Sequence, residues 1–189
     1  MKKGIVLALF ALVASMSYAQ IGWNVKAGAN FSNFSNLDGS KAKLGFQAGV
    51  GLEYAISDQF FVQPSLMFVT KGAKLGEAKS NPMYIELPIM AATRFEIADE
   101  QNVVLKAGPY VAYGVAGKTK VGSISTDFFK KSSDEVLGAN RFDAGVGVGV
   151  AYEYSNYFVE LNGGLGLTKI HKAGKSKNMT FGLNLGYKF

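Results

Sequence analysis

Nine charged residues recur on one face of an alternating pattern: Glu53, Glu86, Arg94, Glu96, Lys106, Arg141, Asp143, Glu153 and Glu160. Acids and bases gathered on a shared face can neutralise one another as a salt-bridged filling, since a buried charge is costly unless paired. They can also line a path for protons or small solutes. Acids outnumber bases in this set, so the surplus is expected near wet ends or with raised pKa values. A nucleophile or metal centre has little to build on. The single histidine, His171, has Thr168 and Ser176 nearby in sequence but no evident triad partner. With one His, no Cys and no Asp-rich calcium loop, neither a metal nor a cofactor is expected. The expectation is a non-enzyme.

A second set of cations lies between the alternating segments: Lys41, Lys43, Lys71, Lys74, Lys79, Lys118, Lys120, Lys130, Lys131, Lys169, Lys172, Lys175 and Lys177. The longest connection also contains Ser123 to Phe129, whose Phe128-Phe129 pair is positioned to fold onto a rim or grip a partner.

The elements that hold these residues follow from period two. Leu44, Phe46, Ala48, Val50, Leu52, Tyr54 and Ile56 interleave with Gly45, Gln47, Gly49, Gly51 and Glu53. Phe142, Ala144, Val146, Val148, Val150, Tyr152 and Tyr154 interleave with Asp143, Gly145, Gly147, Gly149 and Glu153. Six further segments, beginning near Trp23, Phe60, Tyr84, Val103, Tyr157 and Asn178, read the same way. Such alternation means strands with one apolar and one polar or glycine face. The segments are long enough for the roughly 9 to 11 residues of a tilted membrane strand.

Connections alternate in length. Ser57 to Gln59, Ala98 to Gln101 and Ser155-Asn156 are tight, whereas 35–43, 71–83, 117–139 and 169–177 are long. That is the pattern of an all-β, antiparallel, up-and-down eight-stranded transmembrane barrel with both termini in the periplasm. A soluble barrel would have to pack every Phe, Tyr, Leu and Ile into an interior too narrow for them. Turning the apolar face to lipid removes that conflict, and closing the sheet pairs the backbone polar groups. Trp23, Tyr54, Phe60, Tyr154, Tyr157, Tyr187 and Phe189 cluster at the short-turn ends. Phe31, Phe46, Phe68, Tyr113 and Phe142 lie nearer the other, as two interfacial girdles require. Pro64, Pro88 and Pro109 fall inside the segments, where bulges are expected to absorb them.

Residues 1–19 are expected to be a signal peptide. Lys2-Lys3 precede an apolar run from Ile5 to Val13, and Ser17-Tyr18-Ala19 ends in small residues, with cleavage before Gln20. The barrel then occupies 20–189. Without cysteine there is neither a lipid-modified N-terminus nor a disulfide.

Several stretches resemble the Bacteroidota "porin family" of outer-membrane β-barrel proteins. They are Gly28-Ala29-Asn30-Phe31-Ser32, Val62-Gln63-Pro64, Lys71-Gly72-Ala73-Lys74, Tyr84-Ile85-Glu86-Leu87-Pro88, Gly108-Pro109-Tyr110, Asp143-Ala144-Gly145, Gly164 to Leu167, and the ending Gly186-Tyr187-Lys188-Phe189. The resemblance implies an outer-membrane location. It implies that Phe189 is a terminal aromatic read by the barrel-assembly machinery, and that the prolines are family features. Two departures stand out, Ser65 in place of a Glu and Leu161-Asn162 in place of an Arg-Tyr pair, which implies a lumen ion pair lost or moved.

The expected role is a non-catalytic structural or binding barrel, alone or within an envelope complex. Its loop lysines, among them Lys74, Lys118, Lys120, Lys130, Lys131, Lys172 and Lys175, would face lipopolysaccharide or a protein partner. Nucleic acid is not an expected ligand. The alternative is a narrow porin-type channel, favoured by the inward glycines and opposed by the charges.

Overall fold

The computed structural model describes residues 21–35, 39–129, 139–170 and 176–189. The proposed signal peptide therefore lies outside the described residues. Among the described residues ten strands occur in order: β1 Ile21–Ser35, β2 Ser40–Ala55, β3 Phe60–Thr70, β4 Ala73–Leu75, β5 Ala78–Ala98, β6 Gln101–Val121, β7 Ile124–Asp127, β8 Phe142–Tyr154, β9 Tyr157–Gly166 and β10 Lys177–Lys188. Eight of them, all but β4 and β7, form an antiparallel ring that closes where β1 pairs with β10. Closure leaves no unpaired sheet edge in the spanning region, which is what hydrocarbon demands of a β-structure.

The inside-out distribution of apolar side chains follows from the alternation. Val50, Leu66, Ile89, Leu105, Val148, Leu161 and Leu185 are exposed on the outside. Asn24, Asn30, Gln47, Gln63, Asp143, Glu160 and Asn184 are buried on the inside. At the short-turn end Tyr157, Tyr187 and Phe189 stack edge to face, successive ring centroids lying 5.1 Å apart.

Two sequence expectations are corrected. Register runs unshifted through Pro64 opposite Ile89, Pro88 opposite Tyr110 and Pro109 opposite Val146. The three prolines lie near one another on β3, β5 and β6, so their missing donors open one local gap in the ladder and no bulge is needed. The register shifts between β5 and β6 lie elsewhere, at Met83/Tyr84 and Glu96/Ala98.

The long connections also contain more strand than their composition suggested. Beyond the barrel, β4, the start of β5, the end of β6 and β7 join the start of β2 in a sheet that prolongs the wall.

The tight turns carry strain. Ser155 sits at φ 50° and Glu100 at φ 59°, in the left-handed region that a Cβ disfavours. Replacing Ser155 with glycine should therefore raise unfolding free energy by about 1 kcal/mol in a urea titration of the refolded protein. A fall in stability would mean that the Ser155 hydroxyl contact to Asn156 outweighs the backbone strain.

Candidate functional site

The inward side chains form three tiers along the lumen. Nearest the short turns, Arg94 reaches Glu53 at 2.8 Å and Glu153 at 2.9 Å, while Lys188 reaches Glu153 at 2.7 Å. The Arg94 guanidinium lies 4.6 Å from the Phe61 ring centroid. Phe61, Ala92, Val104 and Ala151 fill the space around it as a small apolar cluster.

The middle tier is built on Glu160, which accepts from Lys26 at 3.1 Å and closely from Lys106. Asn184 donates to the same carboxylate at 3.2 Å. Gln63 ties the two tiers together, accepting from Lys106 and donating to Glu53.

The third tier, toward the long connections, centres on Lys71. Its ammonium lies 2.7 Å from Glu86 and 3.1 Å from Asp143, and its side chain is 1% exposed. The rings of Tyr84 and Tyr110 flank it, with centroids 5.2 and 4.5 Å away. Asp143 also accepts from Thr168 at 2.6 Å, Asn178 at 2.8 Å and the Tyr110 hydroxyl at 3.3 Å. Lys71, Asn178 and Tyr110 meet Oδ2 and Thr168 meets Oδ1, so both oxygens of the buried carboxylate are hydrogen-bonded.

Across the tiers the charges balance. Lys26, Lys71, Arg94, Lys106 and Lys188 stand against Glu53, Glu86, Asp143, Glu153 and Glu160. The surplus of acids expected from sequence disappears: Lys26, Lys71 and Lys188 join the network, and Glu96 and Arg141 stand outside it. Lys26 and Lys188 lie on the polar parity of their strands. Lys71, which the spacing of the segments places in a connection, continues the odd-numbered series Phe61, Gln63, Ser65, Met67, Val69 that faces inward. Extending that parity past Phe68 would have found it.

Two expected network members are not in it. Glu96 is exposed at the short-turn mouth and forms no ion pair among the described residues. Arg141 sits at the opposite rim, donating to the Gly114 carbonyl at 2.8 Å with its guanidinium 4.8 Å from the Phe129 ring.

Above the third tier, Phe128 and Phe129 fold into the barrel mouth and pack edge to face, 5.0 Å between centroids. Phe129 meets Tyr84 at 86°. It occupies the space that Gly114 leaves free, for a Cβ there would fall 2.2 Å from the Phe129 ring. Gly186 accommodates Phe158 in the same way at 2.1 Å. These two glycines are seats for large neighbours, whereas Gly147, Gly149, Gly163 and Gly164 line open space at the centre. What remains at the centre is a cavity of about 50 Å³ lined by Lys26, Glu86, Lys106, Tyr110, Glu160 and Asn162 among others. That is room for a few waters, each of which needs at least about 10–15 Å³ of such space.

Among the exposed cations, Lys74, Lys118 and Lys120 lie on the extension beyond the barrel. Lys130, Lys131, Lys172 and Lys175, together with His171, lie outside the described residues. Phe189 ends the chain exposed, its N–H donating to the Trp23 carbonyl at 2.8 Å.

Residues 14–172 match the family described as "Outer membrane protein beta-barrel domain". The chain belongs to that family. The protein is accordingly an outer-membrane barrel. Solved structures give the same fold at low identity. Neisserial surface protein A is 13% identical with a TM-score of 0.55, covering 88% of this chain and 97% of its own. The attachment invasion locus protein of Yersinia pestis, crystallised with the heparin analogue sucrose octasulfate, is 15% identical with a TM-score of 0.52, covering 90% and 99%. The outer membrane enzyme PagL is 10% identical with a TM-score of 0.50, covering 87% and 98%. No curated protein matches the chain in sequence.

Removing one partner from a buried ion cluster strands the others. Lys71→Met should lower the stability of the refolded barrel by about 3–5 kcal/mol in urea. Adding Glu86→Gln should return part of the loss. An unchanged urea midpoint for Lys71→Met would contradict the third tier.

Proposed function

We propose that this barrel is a closed, non-catalytic binding and structural element of the outer membrane, with its working surface on the extracellular side. The observation that carries the reading is the balanced set of ion pairs running the length of the lumen, capped by Phe128 and Phe129. A selective conduit needs groups that release a solute as readily as they hold it. Here the carboxylates are committed to internal cations and to fixed amide and hydroxyl donors. Asp143, Thr168 and Tyr110 are the described groups nearest to an acid–base constellation, and the two hydroxyls are both committed to the Asp143 carboxylate.

By the usual polarity of outer-membrane barrels, the short turns face the periplasm and the extended side faces outward. Phe189 is then the periplasmic aromatic offered to the assembly machinery, with residues 1–19 removed on export. The lysine-bearing extension meets the anionic leaflet or an envelope partner.

Planar-bilayer recording on protein whose gel mobility has become heat-modifiable tests the closed reading. The expected outcome is a silent bilayer at ordinary holding potentials. Discrete, reproducible conductance steps from folded protein would overturn it in favour of a channel.

A further inference from the structure

The extension places four lysines directly opposite one another on four neighbouring strands. Lys41 of β2 pairs with Lys74 of β4, Lys74 with Lys79 of β5, and Lys79 with Lys120 of β6. All four are exposed, and none takes part in an ion pair among the described residues. Neighbouring strands lie about 4.8 Å apart, and like charges directly opposite are destabilising. The adjacent position shows a different solution, for Lys118 stands opposite Asp127. Lys43 donates to Asn81, which in turn stands opposite Lys118 and shares the face of Lys79. The result is a tilted basic band that the protein itself leaves uncompensated.

The face it occupies is fixed by its neighbours. Ala73, next to Lys74, is buried in the cluster of Phe34, Tyr84 and Phe129 that fills the barrel mouth. A Cβ on Gly117, next to Lys118, would meet Phe128 and Pro82. Successive strand residues point to opposite sides, so Lys74 and Lys118, and with them the whole row, face away from the mouth. They point the same way as the lipid-facing band beneath them. Lys79 lies six residues beyond Ile85 on the same alternation; Lys41, three residues beyond Leu44, joins the row through its pairing with Lys74, past a one-residue slip in the register of β2 between Gln47 opposite Val69 and Ala42 opposite Ala73. At a rise of about 3.3 Å per residue and a tilt of about 40°, the row stands roughly 8–15 Å above the apolar edge. Long lysine side chains can lean down from that height toward a headgroup layer.

We propose that Lys41, Lys74, Lys79 and Lys120 form a lateral site for the phosphorylated sugar headgroups of glycolipids in the surrounding outer leaflet. The site rests on the outward polarity and binding role given above, but not on whether the lumen conducts. A ladder of ammonium groups at strand spacing suits several phosphates of one or two adjacent headgroups. An outward-facing position beside the membrane favours that source over a soluble ligand arriving at the barrel mouth.

The test uses the whole refolded protein in detergent, titrated with phosphorylated lipid A, with dephosphorylated lipid A, and with a soluble polysulfated saccharide. The readout is the rise in the temperature at which the heat-modifiable band shifts. Phosphorylated lipid A should stabilise the wild type, and its dephosphorylated form should do so far less. Replacing all four lysines by glutamine should weaken the phosphorylated-lipid effect at least tenfold in midpoint concentration. The same variant should be more stable than wild type without any ligand, since repulsion across the row is relieved. Replacing all four by arginine should keep the binding. Equal loss on changing Lys169 and Lys177 instead would reduce the effect to general charge and overturn the site. Stronger response to the soluble polyanion than to lipid A would overturn the membrane source. Conductance in the bilayer assay with the lipid response intact would sink the closed lumen alone.

Discussion

A ring of eight strands encloses a space so narrow that any charge placed in it must find its counter-charge within a few ångströms. That constraint organises the interior of this protein. Lys26 and Lys106 converge on one carboxylate of Glu160, Arg94 and Lys188 on Glu153, and Lys71 is held between Glu86 and Asp143. Each cluster draws its members from several strands. Removing one member thus disturbs the wall as well as the filling, and ordinary hydrophobic-core reasoning is inverted. The outside supplies the apolar area, and the inside supplies the specificity of register.

The rest of the packing serves the same end. Inward glycines thin the wall where a bulky neighbour must cross it, as at Gly114 under Phe129 and Gly186 under Phe158. Gln47 and Asn184 extend the middle tier by hydrogen bonds, Gln47 donating to Asn184 and Asn184 to Glu160. Prolines that would break an ordinary ladder are gathered on adjacent strands, so a single interruption accommodates them. Above the membrane the economy changes. Water screens charge there, and lysines can stand opposite lysines on β2, β4, β5 and β6.

The fold was largely legible in the chain because period two is a strong local signal over long segments. The alternation of short and long connections fixed the number of strands in the ring. The pairing of lumen charges was only partly legible. Parity tells which face a residue takes, and so placed Glu53, Glu86, Lys106, Asp143 and Glu160 inward. It cannot tell how far along the axis each sits, so Glu96 and Arg141, at the two mouths, looked equivalent to the rest. Lys71 was hidden by its company, since a Lys-Gly-Ala-Lys run resembles a loop until the strand is carried through it. The ladder of lysines was invisible, because cross-strand opposition depends on register between segments distant in sequence.

The chain has no native cysteine, so a single introduced thiol can report directly on whether water solutes enter the lumen. Gly147 faces the central cavity, and a Cβ there meets only ordinary contacts, at 3.5 Å from Met90 and from the Gly163 carbonyl. Gly147→Cys in the folded barrel should stay unreactive toward a charged methanethiosulfonate reagent, while Lys120→Cys on the extension reacts at once. Rapid labelling of both would contradict the closed, charge-paired lumen.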